Sequence, residues 1–324
     1  MIRTFDHALH TGMDAAMCAL MNFSQWRLRS HAVTRERLER YLKECEALEA
    51  AQYYATEEEN RTLPAPEWEL EGSRLTWNSP LRDEYPENHK AKALFFKSDI
   101  PRDRPTLVLL HALMSASDFG YRRIAAGFTA RGWNVLFPHL PYHYSRTPKG
   151  YANGALTITS DLVRNAKALR QSVIELRQLL GWARANGSSR TALMGTSYGG
   201  WVASLTLGLE PVDFAVLLQP VADVPHATFG SPASTMMSGL LKKNGIHPHD
   251  LSRHAHLSSP AKRQPLTPPD RITVIGGTHD RLSPPESLRS LCESWGGARY
   301  LEVNQGHFGY RAMQLALKET ERYL

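Results

Sequence analysis

The chain has 324 residues, 42% of them hydrophobic and 22% charged, a balance that excludes a disordered or fibrous chain and suits a soluble globular protein with a sizeable core. Its formal charge of +6 is mild and its basic residues are scattered, which argues against a nucleic-acid surface but permits contact with anionic lipid or an anionic substrate. Three widely spaced cysteines (Cys18, Cys45 and Cys292) argue against a disulfide framework and for a reducing, cytoplasmic setting, and no run approaches the roughly 20 apolar residues of a membrane span.

Residues 1–66 read as a helical extension. Leu38, Tyr41 and Leu42 fall on one helix face, with Thr34 as the expected N-cap. Met13, Met17, Met21, Phe23 and Trp26 form a second apolar set, suited to packing on a core and, alternatively, to peripheral membrane contact. Asp6, His7, His10 and Asp14 make the start a poor signal peptide.

Residues 67–324 read as one α/β domain. Strand-like runs over 68–77 and 91–96 flank the turn-rich stretch 80–88. Strands are then expected over 106–111, 133–137, 190–194, 214–219, 272–275 and 299–303. Helices are expected over 117–131, 160–185, 199–209, 285–295 and 309–323. Alternation of this kind predicts a mostly parallel twisted sheet with helices on both faces and an active site beyond the carboxyl ends of the strands. Residues 221–270 break the pattern and are expected to form a cap, with a short helix over 234–242.

The chemistry centres on Gly195-Thr196-Ser197-Tyr198-Gly199, a G-x-S-x-G stretch between an expected strand and an expected helix. Such an elbow lifts the serine hydroxyl to a helix N-terminus, where backbone N–H groups favour negative charge. A serine needs a base and the base an orienting acid. Asp280 follows the strand at 272–275 and His307 follows the strand at 299–303. Asp223, just past the strand at 214–219, is a rival acid. His247, His249 and Asp250, with His254 and His256, have short metal-like spacing but read as surface residues of the cap loop. No metal is expected, since a serine, a base and an acid already account for the chemistry, and with no strand-linked G-x-G-x-x-G and no P-loop no organic cofactor is expected either.

The order Ser197, Asp280, His307 in these settings resembles the α/β-hydrolase superfamily over residues 67–324. The long extension and the Pro141-Tyr142-His143 stretch are similar to the α/β-hydrolase-domain-containing protein eighteen group. The resemblance implies an oxyanion hole from the N–H of Tyr198 and, in the loop His111-Ala112-Leu113-Met114-Ser115, that of Leu113, although Ala112 replaces the family's glycine. His111 is expected to be structural. Met114, Tyr142, His143 and Arg146 are candidate substrate contacts, Arg146 for an anionic group. The expected activity is hydrolysis of a small-molecule or lipid ester through an acyl-enzyme. The same residues leave thioesterase, amidase or peptidase, acyl-transferase and non-catalytic binding roles open.

Overall fold

The computed structural model describes residues 2–100 and 104–323, with side chains from Gly12 onward; Asp6, His7 and His10 therefore lie outside the described side chains. The first helices are α1 (Ile2–Arg27), α2 (Arg35–Cys45) and α3 (Ala50–Tyr53). Thr34 caps α2, its side chain accepting from the Arg37 N–H, and α2 buries Leu38, Leu42 and Cys45.

Among the described residues the sheet has nine strands: β1 (Glu69–Glu71), β2 (Arg74–Asn78), β3 (Lys90–Phe96), β4 (Thr106–Leu110), β5 (Asn134–His139), β6 (Thr191–Thr196), β7 (Phe214–Leu218), β8 (Ile272–Gly277) and β9 (Arg299–Val303). Their spatial order is β1-β2-β3-β5-β4-β6-β7-β8-β9. β1 to β3 and the β3–β5 pair are antiparallel, and the strands from β5 through β4 to β9 are parallel. The central strands β4 and β7 are buried at every residue, which is why they read as continuous apolar runs rather than alternating ones.

Helices α4 (Phe119–Thr129), α5 (Leu162–Ala185), α6 (Tyr198–Leu207), α10 (Pro285–Ser294) and α11 (Arg311–Thr320) cover the two faces. All ten residues of α6 are buried, so this helix sits inside the protein rather than on it. Asp161 caps α5 by accepting from the Arg164 N–H and also pairs with Arg37, tying α2 to the core.

Three local features differ from the sequence expectations. The run 68–77 folds into two strands, because Gly72 takes φ +57 and turns the chain. β5 continues through Pro138 to His139, since a proline needs only a position without a ladder N–H. Between β7 and β8 the expected short helix is present as α7 (Thr235–Lys243), but two more, α8 (Pro248–Ser252) and α9 (Ala255–Ser258), follow it where a loop was expected.

Of the histidines of this segment, His247 and His249 are exposed as expected, whereas His254 and the neighbouring Asp250 are buried fasteners. Asp250 is buried, pairs with Arg35 of α2 at 2.7 Å and accepts from the His247 N–H. His254 is buried between the rings of Tyr41 and Tyr53. No helix among the described residues is long and apolar enough to cross a membrane.

Candidate active site

Ser197 stands between β6 and α6 with φ 52 and ψ −113, a conformation that a non-glycine residue holds only where its surroundings force it. The forcing is steric. A Cβ on Gly195 would lie 2.6 Å from the Gly199 carbonyl, and one on Gly199 would lie 2.5 Å from the His111 carbonyl. Only glycine lets the elbow close on itself and on the end of β4.

β8 ends at Gly277 and the following turn places Asp280; β9 ends at Val303 and the following loop places His307. Ser197 Oγ lies 2.9 Å from His307 Nε2, and His307 Nδ1 lies 2.8 Å from Asp280 Oδ2. A carboxylate can only accept, so Nδ1 carries the proton and Nε2 is left to accept from the serine hydroxyl. Asp280 is 3% exposed and takes four donors: the N–H groups of Leu282 and Ser283, the Gln219 amide and the imidazole. Burial pushes the His307 imidazole toward its neutral form, but the Asp280 carboxylate, helped by Asp14, outweighs this and raises its pKa above the usual 6.5. Asp223 is exposed and caps a turn by accepting from the His226 N–H, away from this chain of contacts.

Tyr198 opens α6, so its N–H has no partner within the helix and is free to face a ligand. In the loop after β4 the Ala112 N–H is already used, donating to the Tyr121 hydroxyl at 3.0 Å. Leu113 lines the same cavity as Ser197 and His307. His111 is buried, with Nδ1 on the Ala112 carbonyl and Nε2 accepting from the Leu140 N–H, so both nitrogens serve the framework.

The other expected substrate contacts do not reach that cavity, and these readings are corrected. Arg146 is fully buried and forms a two-pronged pair with Glu175 of α5, at 2.6 and 2.9 Å, with further bonds to the carbonyls of His139 and Asn88. A guanidinium without water needs a fixed anion, and Glu175 supplies it, leaving nothing for a substrate. Tyr142 is buried and donates its hydroxyl to Asp83. His143 is buried beneath Tyr198, ring against ring at 6.2 Å. Met114 lies at a bend with φ 53 and is absent from the cavity wall.

The cavity beside Ser197 encloses about 150 Å³ and is overwhelmingly apolar. Leu38 and Leu42 of α2, Leu169 of α5, Trp201 of α6 and Val224 and Met237 from the segment between β7 and β8 line it. Its few polar lining groups include Asn165, Thr228 and His254, an imidazole whose burial lowers its pKa to about 4.

Two residues that the motifs did not disclose complete the frame. Gln219, at the carboxyl end of β7 with φ 46, donates to both Asp280 and the Gly306 carbonyl, at 2.6 and 2.9 Å. Asp14 of α1 accepts from the N–H groups of His307 and Phe308, at 2.8 and 3.0 Å. Nothing in the sequence marks Gln219, whose positive φ and contacts appear only in the fold. Nothing local marks Asp14, which is 293 residues from His307.

The family model described as alpha/beta hydrolase domain containing 18 matches residues 86–265, more than half of the chain. An uncharacterized protein of Mycobacterium tuberculosis is 29% identical over 256 residues, covering 73% of this chain. The chain spans 59% of the length of that relative. Among solved structures, the acylaminoacyl peptidase of Pyrococcus horikoshii aligns with a TM-score of 0.53 at 14% identity, over 81% of this chain and 41% of that one. TT1662 from Thermus thermophilus aligns with a TM-score of 0.52 at 15% identity, over 80% and 98%. These likenesses show the α/β-hydrolase fold. With the matched family model, they place the chain in the alpha/beta hydrolase domain containing 18 family of the α/β-hydrolase superfamily.

Proposed function

We propose that this protein is a serine hydrolase that cleaves an ester bearing an apolar acyl group, through an acyl-enzyme. The observation that carries the reading is the contact chain Ser197–His307–Asp280 on the wall of an apolar cavity. His307 Nε2 takes the Ser197 proton as Oγ attacks the ester carbonyl. The oxyanion is held by the N–H groups of Tyr198 and Leu113. His307 then protonates the departing alcohol and, in the second step, activates water to release the acid. Asp280 fixes the imidazole tautomer and stabilises its cation. The acyl chain lies along Leu42, Leu169 and Met237, where burying each methylene contributes about 0.8 kcal/mol.

The test is a panel of esters, thioesters and amides sharing one acyl group, with chain length varied within the esters. The reading predicts that kcat/KM rises with chain length beyond acetate, that esters outpace amides, and that Ser197→Ala lowers kcat by roughly 10⁴-fold or more. A preference for amides, or indifference to chain length, would refute it.

A further inference from the structure

The face of α1 turned away from the protein carries no charged side chain from Met13 to Trp26, and the half-exposed Ser24 interrupts its apolar residues with no more than a hydroxyl. Met13, Leu20, Phe23 and Trp26 are 39%, 50%, 55% and 45% exposed, and Ala15, Ala16 and Ala19 are exposed between them. Their spacing of three and four residues makes one stripe along the helix. Singly exposed apolar residues are ordinary, but a continuous stripe with two aromatic rings marks a surface that binds something. The opposite side of α1 is engaged with the catalytic half of the molecule. Asp14 holds the His307 loop, Met21 lines the cavity, and Asn22 bonds the Pro232 carbonyl and the Met236 N–H of the segment over the site.

We infer that the outer face of α1 docks on a lipid surface that carries anionic headgroups. Charge and side-chain type select this occupant. Between Gly12 and Arg29 the charged residues are Asp14, which is buried and turned inward, and Arg27 and Arg29, which are exposed at the end of the stripe. Every charge that the described side chains of α1 and its end present on that side is thus positive. Phe23 and Trp26 stack at 5.8 Å and the Arg29 guanidinium lies over the Trp26 ring at 4.5 Å. Aromatic rings beside basic side chains are the chemistry of the headgroup boundary, where rings enter the acyl region and cations meet phosphate. Continuity points the same way. One helix offers apolar residues to the bilayer on its outside and Met21 to the catalytic cavity on its inside, so docking would bring the cavity to the phase in which long-chain esters reside.

Vesicle flotation tests the inference without any turnover. Phosphatidylcholine vesicles with roughly a third phosphatidylglycerol are compared with phosphatidylcholine alone, for the wild type and for Leu20→Ser/Phe23→Ser/Trp26→Ser. The wild type should float with the anionic vesicles, more weakly with the neutral ones, and less as salt is raised. The triple variant should lose about tenfold or more of the partition, while keeping its far-ultraviolet circular dichroism and its rate of Ser197 labelling by a fluorophosphonate. Equal flotation of the two proteins would overturn the assignment of this face. So would failure of the wild type to float. Sedimentation equilibrium without lipid supplies the remaining outcome: a wild-type dimer that the triple variant converts to monomer, with no flotation, would give the stripe to a second copy of the chain and refute the lipid surface.

Discussion

Asp14→Ala probes the least expected contact in the site. The Asp14 carboxylate accepts from two consecutive N–H groups, those of His307 and Phe308, and so fixes the backbone that carries the proposed base. A hydrogen bond to a charged group contributes about 1.5–3 kcal/mol, and water entering the space left by the side chain can replace part of it. Loss of both should loosen the loop by roughly 2–4 kcal/mol. Because Ser197 Oγ and His307 Nε2 must stay within hydrogen-bond reach, a roughly tenfold to hundredfold drop in the rate of fluorophosphonate labelling is expected, each tenfold being about 1.4 kcal/mol. The pH profile separates positioning from general destabilisation. Asp14 helps raise the His307 pKa, so its removal should move the acid limb of the labelling rate to lower pH. Asp14→Asn, which keeps one acceptor oxygen and loses the charge, should show the same displacement with a smaller rate loss. A folded Asp14→Ala protein with both rate and acid limb unchanged would refute the reasoning.

Breaking the buried Arg146–Glu175 pair by Glu175→Gln should cost about 3–5 kcal/mol in urea unfolding, because a guanidinium without water loses its anion. The double change Arg146→Met/Glu175→Leu should cost clearly less than the single one; equal losses would contradict that account. The protein should also be acid-labile. Burial lowers the pKa of His139, His143 and His254 to about 4, and that of His111 well below 6.5. These groups are neutral in both states above pH 6.5, but below it the unfolded chain binds protons that the folded one refuses. Each of the three then costs roughly 2 kcal/mol by pH 5, offset only in part by His307, whose raised pKa acts in the opposite sense. Thermal melts between pH 7 and pH 4.5 should show a steep fall; a flat profile would refute the burial of these rings as neutral groups.

The sheet and the serine elbow were legible because they rest on local pattern. β4, β6 and β7 are apolar runs of strand length, and glycine on both sides of Ser197 is demanded by backbone contacts that no other residue can make. Asp280 and His307 could be placed from strand ends alone, since in a parallel sheet those ends share one rim. What stayed hidden was the choice of partners. Arg146 follows a strand at the correct rim, yet burial in the fold commits it to Glu175, and no periodicity in α5 announces an acid that faces inward. His247 and His249 are surface residues as expected, but His254 is not: a neutral imidazole can be buried, and only the rings of Tyr41 and Tyr53 packed on it reveal that this one is. Asp14 meets His307 solely through the way α1 lies across the finished domain.

The central claim is that Ser197 is an activated nucleophile. Incubation with a fluorophosphonate, followed by peptide mass mapping of the wild type, Ser197→Ala and His307→Ala, measures this directly. The account predicts one adduct per chain, on Ser197, absent from Ser197→Ala and formed at least about 10³-fold more slowly in His307→Ala. A folded wild-type protein that takes up no label, or takes it up equally fast without His307, would contradict it.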